Sequence, residues 1–131
     1  MSTATVGIVL VSHSADLAEG AAHLAAQVSG GTVTIVAAGG TDDGDLGTSA
    51  AKVQCALSQA DHGAGVVVLP DLGSAVLVVK AVLDDHDNAN VLIADAPFVE
   101  GAVAATVTAA AGADVKTVAA AAEEARHARK L

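Results

Sequence analysis

The triplet Ser12-His13-Ser14 is the part of the sequence best suited to chemistry, since it separates a buried strand pattern from a helix pattern. An imidazole is largely neutral at cellular pH, because its reference pKa is roughly 6.5. A neutral ring nitrogen is a good nucleophile toward phosphorus. The free N–H groups at the start of the next helix would stabilise a phosphoryl group. His13 is therefore the candidate nucleophile.

Polar residues also follow the other predicted strands. Asp71, after the third strand, could hold one ring nitrogen of His13 as N–H, which fixes the tautomer and supports positive charge on the ring. The hydroxyls of Thr41 and Ser74 could donate hydrogen bonds to phosphoryl oxygens. Phosphoryl transfer needs mainly positioning and charge stabilisation, so a small set of groups is enough. The candidate phosphoryl-binding residues are Ser14, Gly40, Thr41, Gly73 and Ser74.

The other histidines are predicted to be surface residues rather than ligands. No pair of them has metal-ligand spacing, so no metal site is predicted. They are His23 on the outer side of the first helix, His62 and His86 in loops, and His127 near the C-terminus. A purely structural interpretation of residues 12–14 remains open, in which they form a polar strand end with a helix cap.

Nucleotide-binding motifs are missing from the sequence. There is no GxxxxGK[ST] loop, no GxGxxG after the first strand and no GxSxG elbow. The loop over residues 39–47 carries Asp42, Asp43 and Asp45, which would repel a triphosphate lacking metal. We therefore expect no cofactor on this chain. If the protein handles phosphate, it carries the group between partners.

The composition excludes several classes of partner. The net charge of −9 disfavours nucleic acid and anionic membranes. Phe98 is the only aromatic residue, which makes base-stacking and flavin-stacking sites poor candidates. Apolar residues make up 53% of the 131 residues, enough for the core of one domain over residues 1–131.

The sequence predicts a cytoplasmic protein. The N-terminus has no basic region, and the apolar run 6–11 is too short for a signal peptide. The run 102–113 is shorter than a membrane span. The single cysteine, Cys55, cannot form an internal disulfide and fits a reducing compartment and a packing role.

Strand and helix patterns alternate along the chain, which predicts an α/β fold: a single doubly wound domain with a mainly parallel four-stranded sheet and helices on both faces. The predicted strands cover residues 6–11, 32–37, 65–69 and 91–94. The predicted helices are striped by Leu17, Ala21, Leu24 and Val28, by Ala50, Val53, Leu57 and Ala60, and by Val99, Val103, Val107 and Ala110, with two more over 74–83 and 115–130.

The segment 75–79 bears on assembly because it is apolar all round. A helix that covers one face of a sheet needs only an apolar stripe. Either this helix is unusually buried, or its outer side meets a second subunit. We favour a homodimer.

Four segments together resemble a known family. They are residues 11–14 with 17–20, residues 37–43 with 46–48, residues 70–75, and residues 96–101 continuing through 104–107 to 112–114. This set resembles the phosphotransfer subunit of phosphoenolpyruvate-dependent dihydroxyacetone kinases, whose domain is similar to the IIA domains of mannose-type sugar phosphotransferase systems. The similarity covers nearly the whole chain in order.

The resemblance implies a mannose-type IIA fold that forms homodimers. It implies that His13 takes a phosphoryl group from the phosphocarrier protein HPr. The group then passes to ADP on the nucleotide-binding kinase subunit, and that subunit holds ADP or ATP and Mg²⁺. The ATP formed there phosphorylates dihydroxyacetone, which a third subunit holds. Asp71 resembles the carboxylate beside the active histidine, and Ser74 a hydroxyl of the same loop. Some family members continue into HPr-like and enzyme-I-like domains, so this chain is expected to use separate proteins upstream.

Alternative functions remain open from the sequence. One is the IIA component of a mannose-type sugar phosphotransferase system. A different class is a receiver-like regulatory domain phosphorylated on Asp71, and a third is a non-catalytic ligand-binding module. The role of Asp95, after the fourth strand, is also open; we expect it to point to solvent, because its charge near the site would repel a phosphoryl group.

Overall fold

The computed structural model describes residues 4–85 and 90–131, in which strands and helices alternate. His86, expected in a loop, lies outside the described residues. The elements are β1 (Gly7–Ser12), α1 (Ala15–Ser29), β2 (Ile35–Gly39), α2 (Ala50–Ala60), β3 (Val66–Pro70), α3 (Gly73–Asp84), β4 (Val91–Ile93), α4 (Phe98–Ala110), α5 (Val115–Glu124) and a final 3₁₀ turn (Ala125–His127).

The four strands form one parallel sheet in the order β2-β1-β3-β4. All six residues of β1 are buried, as expected for an apolar strand with neighbours on both sides and helices on both faces. The connection after β1 leads to β2 on one side of the sheet, and the connection after β3 leads to β4 on the other side. The two connections therefore diverge between the central strands β1 and β3. Ligands of open parallel sheets bind at such a point. The predicted α/β architecture is confirmed.

Two apolar layers, one on each face of the sheet, stabilise the domain. On one face, Ile8, Leu10 and Leu69 pack against alanines of α1, α4 and α5. On the other, Val9, Val11 and other sheet residues pack against α2 and α3. Alternate β1 residues serve opposite layers because successive side chains of a strand point to opposite faces.

The predicted apolar stripes of α1 and α4 are wrong at their large residues, whereas Ala21 is buried as predicted. The structure buries Ala18, Ala21 and Ala25 of α1, whereas Leu17, Leu24 and Val28 are exposed. In α4 it buries mainly small residues, and Val99 and Val107 are exposed. Small side chains let a helix backbone approach the sheet and neighbouring helices closely. In α2, by contrast, the predicted residues Val53, Leu57 and Ala60 are buried, and only Ala50 of that stripe is exposed.

Several predicted boundaries also differ. The second strand begins at Ile35 rather than residue 32, and Pro70 belongs to the third. The last helix ends at Glu124 rather than residue 130, where the chain tightens into the 3₁₀ turn. Arg126 of that turn donates to the carbonyl oxygens of Glu123 and Asp95. The packing role expected for Cys55 is wrong, because its side chain is exposed and its sulfur accepts a hydrogen bond from Gln59.

The outer side of α3 is accessible. Ala75, Val79 and Val82 are buried, but Leu77 is 69% exposed. The idea that this helix is buried all round is therefore wrong, and the homodimer stays a prediction. Within residues 4–85 and 90–131, no helix combines the length and apolar character needed to cross a membrane.

Candidate functional site

The site lies where the carboxyl ends of β1 and β3 meet. Val11 of β1 is paired with Pro70 of β3, so the residues that follow each strand emerge side by side. The backbone N–H of Asp71 donates to the carbonyl oxygen of Val11, 2.9 Å away. This pairing brings the side chains of His13 and Asp71 together although 58 positions separate them in the sequence.

Both ring nitrogens of His13 are engaged. Nδ1 lies 3.0 Å from Oδ1 of Asp71, and Nε2 lies 2.8 Å from Oγ of Ser74. Because a carboxylate only accepts hydrogen bonds, Nδ1 carries the proton and Nε2 of the neutral ring keeps its lone pair. The hydroxyl of Ser74 then donates to Nε2. The His13 side chain is 27% exposed, so a partner can reach it.

The Asp71 carboxylate accepts hydrogen bonds at both oxygens. Besides the ring of His13, its donors are the hydroxyl of Ser12 at 3.0 Å, the backbone N–H of His13 at 3.1 Å and that of Leu72 at 2.7 Å. Burial raises the pKa of Asp71, but the hydrogen bonds from His13 and Ser12, with the attraction of the His13 ring when that ring is protonated, hold the pKa below its ordinary value. Asp71 is therefore an ionised, fixed carboxylate at neutral pH.

Ser12 is a site residue to which the sequence reasoning gave no role of its own. Its side chain is fully buried; Oγ donates to Asp71 and accepts from the backbone N–H of Ser14 at 3.0 Å. It thereby ties the carboxylate to the segment that carries His13. The sequence signal for this role is a hydroxyl at the end of an otherwise apolar strand. A polar group buried at such a position must form hydrogen bonds with neighbouring residues.

The first turn of α3 faces Nε2 of His13. Leu72 occupies the N-cap position and provides no side-chain hydrogen bond, so the N–H groups at the start of α3, from Gly73 and Ser74, lack a side-chain cap. Such a helix start binds anions through its N–H groups and its dipole. The sequence analysis predicted that the start of α1 would bind the phosphoryl group. There the hydroxyl of Ser14 caps the helix by accepting from Leu17, and Nε2 contacts α3 instead.

The loop between β2 and α2 lies against the backbone of the His13 segment. Gly40 N–H donates to the carbonyl of Ser12, and Gly47 N–H donates to the carbonyl of His13 at 2.8 Å. Gly40 has a φ of +76°, a conformation that favours glycine. The Thr41 hydroxyl accepts from Asp45 N–H within the loop. The predicted contacts of Gly40, Thr41 and Ser14 with a phosphoryl group stay predictions.

The remaining candidates lie apart from this site. Asp95 is 95% exposed and forms an ion pair with Arg126, as expected for a carboxylate that points to solvent. His23 and His127 are exposed, and exposed His62 contacts the hydroxyl of Thr34. In the part of the chain that the structure describes, no three His, Cys, Asp or Glu side chains cluster as metal ligands would.

Comparison with known proteins places this geometry in a family. The profile of the PTS system fructose IIA component family, EIIA-man, matches residues 7–119. A phosphoryl donor subunit (DhaM) of phosphoenolpyruvate-dependent dihydroxyacetone kinase from Pantoea ananatis is 44% identical over 119 residues, which are 86% of this chain and 25% of that protein. One from Listeria innocua is 37% identical over 78% of this chain and 84% of its own length. The chain thus spans about a quarter of the first relative's length and most of the second's.

Two solved structures share the fold of this chain. The crystal structure of the unknown-function protein EF1359 has a TM-score of 0.82 and 34% identity, and the match covers 92% of this chain and 94% of that one. A sigma-54 interaction domain protein from Enterococcus faecalis, with a TM-score of 0.68 and 16% identity over 89% of this chain and 87% of that one, shares the fold alone. The chain belongs to the EIIA-man family of PTS system IIA components.

Proposed function

We propose that this chain is a phosphohistidine carrier and the phosphoryl donor subunit of a phosphoenolpyruvate-dependent dihydroxyacetone kinase. The observation that carries the proposal is the arrangement around His13, with Nδ1 held by Asp71 and Nε2 directed at the uncapped start of α3. The described function of the Pantoea and Listeria relatives supports the choice of kinase.

In the first half-reaction, His13 takes the phosphoryl group from phosphorylated HPr. The lone pair of Nε2 attacks phosphorus, the new N–P bond forms, and the N–P bond of the donor breaks with its electron pair returning to the donor imidazole. The His13 ring then carries a positive charge, which the ionised Asp71 offsets through Nδ1–H. The proton stays on Nδ1 throughout.

In the second half-reaction, the phosphoryl group leaves for ADP on the nucleotide-binding kinase subunit. A terminal phosphate oxygen of ADP attacks phosphorus, and His13 leaves as neutral imidazole. The ATP so formed phosphorylates dihydroxyacetone on a third subunit. In this proposal ADP, ATP and Mg²⁺ belong to the partner, and this chain holds no cofactor or metal of its own.

The phosphoryl oxygens would be stabilised at the start of α3. The hydroxyl of Ser74, 2.8 Å from Nε2, can rotate to donate to an oxygen of the group that Nε2 acquires. The N–H groups of Gly73 and Ser74 lie in the same uncapped turn. In this proposal Ser14, Gly40 and Thr41 complete the binding set.

The proposal includes the setting of the reaction. Residues 1–131 would act as one IIA domain, in the cytoplasm and as a homodimer, with HPr and the two kinase subunits as its partners. The exposed apolar outer side of α3, with Leu77, is consistent with a subunit contact.

A second candidate is the IIA component of a sugar phosphotransferase system, which the description of the matching family favours. A receiver-like role for Asp71 fits the structure poorly. Its carboxylate is 8% exposed and accepts hydrogen bonds at both oxygens, which leaves little room for an attacking phosphoryl donor.

The test is reconstitution with phosphoenolpyruvate, enzyme I, HPr and the two kinase subunits, with dihydroxyacetone phosphate as the readout. We expect turnover with the wild-type chain and with His23→Ala, and none with His13→Ala. Phosphorylation without transfer to the kinase subunits, but with transfer to a mannose-type sugar transporter, would favour the second candidate.

A further inference from the structure

The backbone of His13 lies between two regular elements. The pairing of β1 with β2 ends at Ser12, and the carbonyl of Ser14 accepts the first hydrogen bond of α1. The polar backbone groups of His13 therefore find their partners outside the ladder and the helix. Its N–H donates to Oδ2 of Asp71 at 3.1 Å, and its carbonyl oxygen accepts the N–H of Gly47 at 2.8 Å.

These two contacts reach His13 from opposite sides. Asp71 follows β3, Gly47 belongs to the loop between β2 and α2, and β1 lies between the two strands in the sheet. When the N–H and the carbonyl of one residue are both held, the direction of its Cα–Cβ bond is held too. The ring can then change only by rotation about its side-chain bonds, and the contacts of Nδ1 with Asp71 and of Nε2 with Ser74 select one rotamer.

The loop that carries Gly47 is itself fixed by hydrogen bonds. The N–H of Thr41 donates to the carbonyl of Asp45 at 2.9 Å, and the N–H of Asp45 donates to the hydroxyl of Thr41 at 3.1 Å. On the side of α2, Nζ of Lys52 donates to the carbonyl of Gly39, 2.9 Å away at the beginning of the loop. A donor held in this way can determine where the carbonyl that it contacts lies.

Residue 47 must be glycine for this contact to form without strain. Its φ is +138°, and a Cβ added there would lie 2.8 Å from Cγ2 of Thr41. Gly44 of the same loop also has a positive φ, +87°, but a Cβ added there would meet no atom within 4 Å. The N–H of Gly44 donates to the carbonyl of Thr41 at 3.0 Å. The two glycines thus separate the contact with His13 from the general requirements of the loop.

We propose that Gly47 is a positioning residue for phosphoryl transfer, whose N–H fixes the carbonyl of His13 and thereby holds Nε2 opposite the start of α3. This inference rests on the proposed function, since it concerns the placement of the nucleophile in that reaction. A displacement of about 1 Å at a reacting group can lower a rate about a hundredfold. Because Asp71 and Ser74 still restrain the ring, loss of the Gly47 contact should lower the rate about tenfold.

The sharpest test replaces the backbone N–H of residue 47 by an ester oxygen, as Gly47→glycolate, which removes the donor and adds no side chain. The matched control is Gly44→glycolate, which removes a donor of the same loop that does not contact His13. Each full chain is phosphorylated by phospho-HPr, prepared with phosphoenolpyruvate and enzyme I, and by phosphoramidate, a small donor that needs no docking surface. Gly47→glycolate should lower the maximal rate about tenfold with both donors and leave the KM for phospho-HPr unchanged. Gly44→glycolate should react at the wild-type rate.

A second pair of variants needs no chemical synthesis. In Gly47→Ala the new Cβ would press against Thr41 and displace the N–H from the carbonyl of His13, so the maximal rate should fall with both donors. Gly44→Ala introduces a side chain at a similarly positive φ but into open space, and it should react at the wild-type rate.

The ¹⁵N chemical shifts of the His13 ring distinguish positioning from a purely structural role. The Nε2 signal should move in Gly47→glycolate and keep its wild-type position in Gly44→glycolate, even if both variants lose thermal stability equally. An unchanged maximal rate or unchanged ring shifts in Gly47→glycolate, or an equal loss of rate in both glycolate variants, would overturn the positioning role and leave the carrier function intact. A wild-type chain that neither donor phosphorylates on His13 would overturn the proposed function itself, and the ring shifts alone would then decide whether Gly47 orients His13.

Discussion

The Nδ1 atom of His13 lies 3.0 Å from Oδ1 of Asp71, and this contact joins the connections that follow the two central strands. In the proposed mechanism the carboxylate fixes the proton on Nδ1 and leaves Nε2 as the nucleophile. The same oxygen accepts the N–H of Leu72, so the atom that orients the histidine also fixes the backbone at the start of α3. Orientation of the ring and placement of the phosphoryl site are thus coupled.

Asp71→Asn should slow phosphoryl transfer about a hundredfold or more, because an amide can neither select the Nδ1–H tautomer as strongly nor offset the charge on the phosphorylated ring. Single-turnover transfer from phospho-HPr measures the effect. Asp95→Asn, which removes an exposed carboxylate outside the site, is the control and should react at the wild-type rate. A wild-type rate in Asp71→Asn would remove Asp71 from the mechanism.

The stability of the chain should depend on the ionisation of Asp71. Its pKa is lower in the folded state than the ordinary value of 3.8, so its contribution to the free energy of unfolding is complete above that value. The contribution is lost as the pH falls through the lower, folded-state pKa. Urea unfolding between pH 7 and pH 2 should show that the free energy of unfolding falls less with acid in Asp71→Asn than in the wild type. If the free energy of unfolding falls equally in both proteins, the ionisation of Asp71 does not control the acid sensitivity of the fold.

Ser12→Ala should destabilise the fold by about 1–3 kcal/mol, because it leaves the half-buried N–H of Ser14 without its acceptor and removes a donor to the Asp71 carboxylate. It should also slow transfer, since the carboxylate is held less firmly. Chemical denaturation gives the first quantity, and ¹⁵N chemical shifts of the His13 ring report its tautomer. If the ring nitrogens keep their wild-type shifts and the rate is unchanged, Ser12 has only a structural role.

Transfer from HPr should weaken with salt, because the chain carries a net charge of −9 and its reactive edge is acidic. The KM for phospho-HPr should rise between 50 mM and 500 mM NaCl, while the reaction with phosphoramidate changes little. A KM that does not depend on ionic strength would contradict electrostatic docking.

The sequence predicted that His13, Asp71 and Ser74 lie at one edge of the sheet, but it gave no role to Ser12. His13, Asp71 and Ser74 were identified because each follows a predicted strand, and the ends of parallel strands share one edge. Spacing could not show which helix start faces the ring. In the structure Ser14 caps α1, and Ser74 at the start of α3 contacts Nε2.

The helix faces were less predictable for a compositional reason. In α1 and α4 alanine occurs on several faces, so a stripe of larger residues such as Leu17 and Leu24 looks like the core side. Packing selects the small residues because they permit close approach to the sheet. At Gly39, for instance, an added Cβ would lie 2.5 Å from the carbonyl oxygen of Ser14. Such distances depend on tertiary contacts and leave no periodic signal.

The most direct measurement is the identification of the phosphorylated atom after incubation with phosphoenolpyruvate, enzyme I and HPr. ¹⁵N and ³¹P nuclear magnetic resonance of chain labelled at histidine should show one phosphoramidate at Nε2 of His13, stable in alkali and lost in acid. Addition of the kinase subunits with ADP should discharge it. An alkali-labile acyl phosphate on Asp71, or a phosphohistidine at any position other than 13, would contradict the account.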